Sequence, residues 1–240
     1  MAVWQLGRQI RRMRRDWDQR ARENARYYVV TGQERWSDEE FYQSGQVMLE
    51  EQILNDLPNI CQGMDPKDMK VLEIGCGAGR VTRALASFFG QVYAVDISPR
   101  MVRLARHAVE GFPNVRVFRN NGVDLGAVRE HWWHRFGLGA KLEVDFAFSC
   151  MVFQHIPSRE IIESYVREVN GLLRPGGLFK FQVQGSSLVE VEPDNTWVGV
   201  PFTERDAREM AQRCGFELRY EHGAQDQYYW LWCFKTGKPR

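Results

Sequence analysis

The sequence predicts an α/β protein whose mainly parallel sheet is doubly wound, with helices on both faces. The main observation is an alternation of short apolar runs and amphipathic segments of helical length after residue 68. Two further observations are the helix-start signals at Ser158 and Thr203. The predicted strands are 70–74, 91–95, 114–118, 144–150, 178–184, 216–221 and 227–235, and the predicted helices between them are 80–89, 99–109, 158–173 and 203–214.

The region before this alternation is predicted to be helical. Apolar residues recur near helical spacing over 4–30 and again over about 39–57. Within the alternating region, Gly176 and Gly177 are expected to end one helix and turn the chain into the next strand. Residues 126–142 and 185–200 fit neither pattern, and both lie where ligand-facing loops are expected. They are therefore candidate walls or lids of a site.

Composition and charge narrow the classes of protein to consider. The chain has 240 residues, of which 44% are hydrophobic and 26% charged, and its formal net charge is +1. A net charge so close to zero creates no overall electrostatic field that would attract the protein to nucleic acid or to a membrane. The five cysteines are scattered, which argues against a disulfide framework or a zinc site. No apolar run approaches the ~20 residues of a membrane span, and we expect a cytoplasmic protein without a metal.

The stretch VLEIGCGAGR, residues 71–80, carries three alternate glycines where a strand meets a helix. Such a turn lets backbone N–H groups approach a ligand, and a dinucleotide would fit it as well. However, Arg80 occupies the place of the third glycine in a dinucleotide fingerprint, and Glu73 would repel a pyrophosphate. A ligand with an amino group and a sulfonium would tolerate Glu73. Asp96 ends the next strand, where it can bind ribose hydroxyls or cap the following helix.

These segments resemble the class I S-adenosylmethionine-dependent methyltransferases over roughly residues 68–237. The matching motifs are VLEIGCGAGR, YAVDIS, RNNGVDL, DFAFSCMVFQHIP and LLRPGGLFKFQV. The resemblance implies a Rossmann-like seven-stranded sheet with its last strand antiparallel, a methyltransferase domain at 61–240 and an N-terminal helical cap at 1–60. It also implies S-adenosyl-L-methionine as cofactor and S-adenosyl-L-homocysteine as product.

The resemblance assigns the cofactor-binding residues one by one. Glu73, Gly75 and Gly77 would line the methionine and ribose part, with Cys76 as a small turn residue in the same loop. Asp96 would hold the ribose, and Ile97 would pack on the adenine. The adenine would be flanked by Asn121, Gly122 and Val123, although Asn121-Gly122 can equally be a plain turn. Ser149 and Cys150 would approach through their backbone groups.

The candidate catalytic residues follow the fourth predicted strand. His155 is the candidate base that removes the proton of the methyl acceptor, because its ordinary pKa of about 6.5 suits proton transfer near neutrality. Gln154 is a candidate for orienting the acceptor or the cofactor. Each can also be purely structural, by capping a helix or holding a loop. Arg26 and Arg80 are both candidates to bind the carboxylate of the methionine moiety.

The expected reaction is methyl transfer to an oxygen or nitrogen of a small molecule, including a secondary metabolite or a short peptide. The sequence SCMVF after strand four lacks the prolines of enzymes that methylate base amines or a glutamine amide. Acidic residues interrupt the N-terminal arginines, which argues against nucleic acid as partner. An RNA methyltransferase and a non-catalytic partner protein of this fold stay open as alternatives, and the oligomeric state is left open.

Overall fold

Seven strands form one sheet in a computed structural model, which describes residues 3–136, 142–186 and 194–237. In chain order the strands are β1 (Lys70–Ile74), β2 (Gln91–Asp96), β3 (Val115–Arg119), β4 (Val144–Ser149), β5 (Leu173–Val183), β6 (Phe216–His222) and β7 (Tyr229–Lys235). Their order across the sheet is β3-β2-β1-β4-β5-β7-β6. The pairs β1–β2, β2–β3 and β4–β5 are parallel, whereas β7 is antiparallel to both β5 and β6. The predicted fold class is confirmed, including its antiparallel last strand.

Eight α-helices flank or precede these strands in the described residues. They are α1 (Val3–Val29), α2 (Asp38–Gln52), α3 (Leu57–Cys61), α4 (Arg80–Phe88), α5 (Pro99–Ala108), α6 (Gly126–Phe136), α7 (Arg159–Leu172) and α8 (Glu204–Arg213). Short 3-10 helices lie at Leu54–Asp56, Pro66–Asp68 and Phe153–His155. None of the helices in this part of the chain is both long and apolar enough to cross a membrane.

The chain divides into two compact units. One is Arg14–Arg119, and the other combines the residues up to Met13 with those from Asn120 onward. In the first unit, Leu72 on β1 and Ala94 on β2 are completely buried. In the second, Phe148 on β4 and Phe181 on β5 are equally buried. Continuous apolar burial of this kind is expected for parallel strands covered on both faces.

The predicted helix starts are confirmed. Ser158 accepts a hydrogen bond from the N–H of Ile161 through its hydroxyl and so caps α7. Thr203 and Asp206 form a reciprocal capping box at the start of α8. Both caps satisfy N–H groups that have no partner within the helix.

Two features differ from the sequence-based expectation. The Pro175–Gly177 turn lies within β5 and does not precede it. The pairing of β5 with β4 is interrupted there, since the paired residues pass from Leu173 directly to Leu178. Regular pairing therefore starts at Leu178, where the strand was predicted. Residues 126–136 of one candidate wall form helix α6 instead of a loop. Two parts of the candidate walls lie outside the described residues. They are residues 137–141 of the 126–142 segment and residues 187–193 of the 185–200 segment.

Candidate active site

The glycine turn joins β1 to α4. Gly75, Gly77 and Gly79 have φ values of 75°, 52° and 86°, in the left-handed region that residues with a Cβ rarely adopt. The N–H groups of Gly75 and Cys76 both donate to the carbonyl oxygen of Val95 on β2, at 2.8 and 3.0 Å. The predicted glycines therefore make a tight turn that is tied to the neighbouring strand.

The carboxylate of Asp96 supports this turn from the end of β2. One oxygen accepts the N–H of Gly77 at 2.9 Å, and the other accepts the N–H of Ser98 at 2.8 Å. Burial raises the pKa of Asp96 to about 6, although these hydrogen bonds oppose the rise. The cap of α5 is Ser98, whose hydroxyl accepts the N–H of Met101. Asp96 is thus a brace of the glycine turn and not the helix cap.

Glu73 is a buried acid on β1, with a side chain that is only 4% exposed. Among the described residues, its Oε2 atom has no hydrogen-bond partner. Burial raises its pKa from the usual 4.5 to about 7, while Thr82 and Arg80 act in the opposite direction. A buried carboxylate oxygen without a partner is costly. The position therefore fits a ligand that brings a positive charge or an N–H donor, which S-adenosylmethionine carries.

The C-terminal part of α1 covers the glycine turn, a contact that the sequence did not predict. A Cβ atom added to Gly77 would lie 2.8 Å from a methyl carbon of Val29. Further back along α1, Asp18 accepts hydrogen bonds from the Ser98 hydroxyl and the Arg100 N–H, both at 3.0 Å. An acid at the start of α5 satisfies free N–H groups and the helix dipole. No local signal marks either residue, because each acts on a distant segment.

The two arginines proposed for the methionine carboxylate are both engaged in contacts within the protein. Arg80 donates to the carbonyl oxygen of Ser44 at 2.9 Å. Arg26 donates to the carbonyl oxygen of Trp36 at 2.8 Å and forms an ion pair with Asp38. Both arginines hold N-terminal helices within the unit Arg14–Arg119. Neither arginine is therefore singled out as the residue that binds the cofactor.

The segment expected near the adenine forms a turn. The side-chain oxygen of Asn121 accepts the N–H groups of Val123 and Asp124 at 2.8 and 2.9 Å. Gly122 adopts a φ of 90° inside this turn. The geometry agrees with the plain-turn interpretation of Asn121-Gly122, and the contact with an adenine stays a prediction.

The other proposed cofactor residues differ in exposure. Cys76 is buried, and burial raises the pKa of its thiol well above the usual value, which suits a turn residue and not a nucleophile. Ile97 and Cys150 are half-buried, while Ser149, the last residue of β4, is 1% exposed. Their roles toward the cofactor stay predictions.

His155 and Gln154 belong to a hydrogen-bonded network in the second unit. The Nδ1 atom of His155 bonds to the carbonyl oxygen of Trp197, and its Nε2 atom lies 3.3 Å from the amide nitrogen of Gln154. Gln182 on β5 donates to the amide oxygen of Gln154 at 2.7 Å. The structure therefore brings the two catalytic candidates together and adds Gln182 to them.

The segment that carries Trp197 is docked against the 3-10 helix Phe153–His155. The N–H of Gly199 donates to the carbonyl oxygen of Gln154 at 2.6 Å, and that of Val200 to Ile156 at 3.1 Å. A Cβ at Gly199 would lie 2.7 Å from the carbonyl oxygens of Gln154 and Ile156, so only glycine permits this approach. The Trp197 ring stacks on His155, with 5.0 Å between ring centroids. This described part of the 185–200 segment forms a wall beside His155.

Comparisons with known proteins agree with the resemblance of the sequence to methyltransferases. Residues 71–177 match a family model described as a methyltransferase domain. A ubiquinone biosynthesis O-methyltransferase from Xanthomonas axonopodis pv. citri (strain 306) is 29% identical over 116 residues, or 48% of this chain. The chain spans only 42% of the length of that relative.

Two solved structures share the fold at low sequence identity. Magnesium protoporphyrin IX methyltransferase from Synechocystis PCC 6803 with bound SAH has a TM-score of 0.60 and 17% identity, covering 88% of this chain and 93% of that one. Phosphoethanolamine N-methyltransferase 1 from Haemonchus contortus, in complex with phosphoethanolamine and S-adenosylhomocysteine, has a TM-score of 0.66 and 14% identity, covering 97% and 50%. Residues 71–177 of this chain therefore carry a methyltransferase domain.

Proposed function

We propose that the protein transfers the methyl group of S-adenosylmethionine to a hydroxyl oxygen, or alternatively an amine nitrogen, of a small molecule. The observation that carries the proposal concerns Glu73, which lies beside the glycine turn. Its Oε2 atom is buried and has no hydrogen-bond partner among the described residues. A cationic ligand would compensate that charge, whereas a pyrophosphate would add to it. This difference separates a sulfonium cofactor from a dinucleotide.

In this proposal, Glu73 binds the amino or sulfonium end of the cofactor, and the backbone of Gly75, Cys76 and Gly77 lines its methionine and ribose part. Asp96 keeps its brace of the turn and accepts ribose hydroxyls with its remaining lone pairs. Ile97, Asn121, Gly122 and Val123 surround the adenine, and Ser149 and Cys150 contribute backbone groups. The bound cofactor supplies an activated methyl group on a positively charged sulfur, and the protein itself supplies orientation and a base.

His155 is the proposed proton acceptor. Its Nδ1 atom faces the carbonyl oxygen of Trp197, so that nitrogen must carry the proton. Nε2 then holds the lone pair in the neutral ring and can remove the proton of a hydroxyl while the oxygen attacks the methyl group. Gln154, bonded to Nε2, is placed to orient the acceptor.

A small-molecule acceptor is supported by the O-methyltransferase relative and by the formal net charge of +1. The acidic side chains among the N-terminal arginines take part in local contacts, as in the pair of Asp18 with Arg22. The same charge balance weighs against RNA, whose binding rests on many phosphate contacts. The cytoplasmic location and the division at residue 60 stay predictions.

The test supplies methyl-labelled S-adenosylmethionine to the protein with either a small-molecule extract or total RNA. We expect label in the small-molecule fraction, and loss of transfer in His155→Ala while calorimetric affinity for the cofactor is kept. Asp96→Ala should weaken cofactor binding by a factor of about 10 to 100, the loss of a charged hydrogen bond. Label appearing only in RNA would overturn the acceptor class, and absent cofactor binding would favour the non-catalytic alternative.

A further inference from the structure

The network around His155 ends on backbone groups whose hydrogen-bonding roles cannot change. At one end, the N–H of Met151 donates to the Oε1 atom of Gln182 at 2.9 Å. At the other end, the carbonyl oxygen of Trp197 accepts from Nδ1 of His155. A backbone N–H can only donate and a carbonyl can only accept. The side chains between these two ends must therefore be oriented to match both.

The two glutamines transmit that orientation along the network. Because Gln182 turns its oxygen to Met151, its amide nitrogen faces Gln154 and donates to Oε1 at 2.7 Å. The nitrogen of Gln154 then faces Nε2 of His155, at 3.3 Å. All three side chains are buried, with 1%, 4% and 7% exposure for Gln182, Gln154 and His155. In so dry a site a mismatched donor pair is costly.

Only one state of the ring satisfies both of these hydrogen bonds. A proton on Nδ1 meets the Trp197 carbonyl, and a lone pair on Nε2 meets the N–H of Gln154. Rotating the Gln154 amide by half a turn would place its NH2 group against the NH2 group of Gln182. We propose that Gln182 is a positioning residue that, through Gln154, keeps His155 neutral with its proton on Nδ1. Nε2 can then exchange the 3.3 Å contact with the Gln154 N–H for the hydroxyl of the methyl acceptor and take its proton.

This inference rests on the proposed function, because it assigns a purpose to the lone pair of Nε2 in that reaction. It also gives a reason for a buried amide at position 182. Gln182 lies within β5, paired with Trp230 on β7, so its side chain starts from a rigid strand. Its oxygen also holds Met151, a residue other than glycine with a φ of 58°. An aliphatic side chain would lose both bonds, and a carboxylate would lose the donor.

Other charged groups on the elements that carry the network make contacts elsewhere. These groups include Lys180 and Arg174 on β5, Asp194 ahead of Trp197, and Arg159 at the start of α7. Arg174 is paired with Asp145. The Lys180 ammonium lies 4.5 Å from the ring centroid of Trp232. Asp194 is paired with Arg8 and Arg159 with Asp206. None of these groups changes in the variants below, so their influence on His155 is common to all of them.

The decisive variant is Gln182→Glu. A carboxylate still accepts from Met151 but cannot donate to Gln154, so the Gln154 amide is expected to rotate and present its oxygen to Nε2. That arrangement favours a second proton on His155, and the pH at which the ring becomes charged should rise by about one unit. Gln184→Glu is the matched control. It adds the same charge one residue beyond the end of β5 and on the same face as Gln182, but its amide oxygen accepts from the N–H of Ser186 outside the network.

The measurement is the pH titration of ring nitrogen signals by NMR, with the His155 signal assigned among the five histidines by its loss in His155→Gln. We expect a neutral wild-type ring with the proton on Nδ1, and an upward shift in Gln182→Glu that exceeds the shift in Gln184→Glu. A wild-type ring with its proton on Nε2 would overturn the proposal without any variant, even if Gln182→Glu fails to fold. Equal shifts in the two variants would overturn it as well. Neither reading needs cofactor or acceptor, so this failure is distinct from absent methyl transfer.

Discussion

Replacing Glu73 by glutamine tests whether a buried charge awaits a cationic ligand beside the glycine turn. The side chain keeps its shape but loses its ability to ionise. The folded-state pKa of about 7 lies above the usual 4.5 because burial disfavours the carboxylate. Between these two values the folded protein binds more protons than the unfolded chain, so the free energy of unfolding falls as pH rises through the window.

The size of the effect follows from the two pKa values. A difference of about 2.5 units at about 1.36 kcal/mol each corresponds to about 3 kcal/mol of lost stability above neutrality. Glu73→Gln removes this loss. We expect the variant to gain up to about 3 kcal/mol relative to the wild type between about pH 4 and pH 8. Any constant packing difference cancels in that comparison.

The assay is urea unfolding of both proteins, free of cofactor, at several pH values across this range. Calorimetry with S-adenosylmethionine at about pH 8 completes it, and the variant should bind about 10 to 100 times more weakly. In the wild type, affinity should rise with pH up to about neutrality, because the ligand cation binds the ionised form of Glu73. The variant should lack most of that dependence.

The combined signature is a more stable protein that binds its cofactor less well. If Glu73→Gln is instead destabilised most at high pH, the carboxylate is held by an ion pair with Arg80 and burial does not dominate. If stability rises but cofactor affinity is unchanged, the buried charge is real and Glu73 does not contact the cofactor. Each result refutes a different step of the reasoning.

Two further predictions concern the covering of the turn by α1. Gly77→Ala should lower the free energy of unfolding in urea by about 1–2 kcal/mol, because the φ of Gly77 is left-handed and the new Cβ would meet Val29. The control Gly111→Ala has open space around its Cβ and should change that free energy by less than about 0.5 kcal/mol. Equal losses in the two variants would contradict this prediction. Although burial opposes it, the hydrogen bond from Arg100 holds the pKa of Asp18 below its usual 3.8. Its stabilisation is therefore present above that value and lost as pH falls through the lower folded-state pKa, so Asp18→Asn should cost about 0.5–1 kcal/mol at neutral pH and little in acid. A cost that does not depend on pH would show that the charge is irrelevant.

Local patterns predicted the features that depend on neighbouring residues. Strand–helix alternation identified the sheet, and the alternate glycines at 75–79 identified the turn and its position before α4. The caps at Ser158 and Thr203 were predictable because their partners lie three residues away. These features follow from backbone conformation and short-range hydrogen bonds.

Helix α6 shows where local patterns were insufficient. Its start is held by Glu168 on α7, which accepts hydrogen bonds from the N–H of Leu125 and the side chain of Arg129. Within its own sequence the segment lacks a strong amphipathic pattern. Its helical state therefore depends on a partner about forty residues away, which no local signal reports.

The sequence by itself determined the α/β class, the glycine turn and the acids Glu73 and Asp96, because strand period, glycine and charge act through the adjacent backbone. Only the tertiary structure decided that Asp96 braces Gly77, that Val29 covers the turn, and that Gln182 is hydrogen-bonded to Gln154 beside His155. These relations join segments far apart in the chain. Packing and the requirement that buried polar groups find partners determine them, and both become defined only when the strands have assembled.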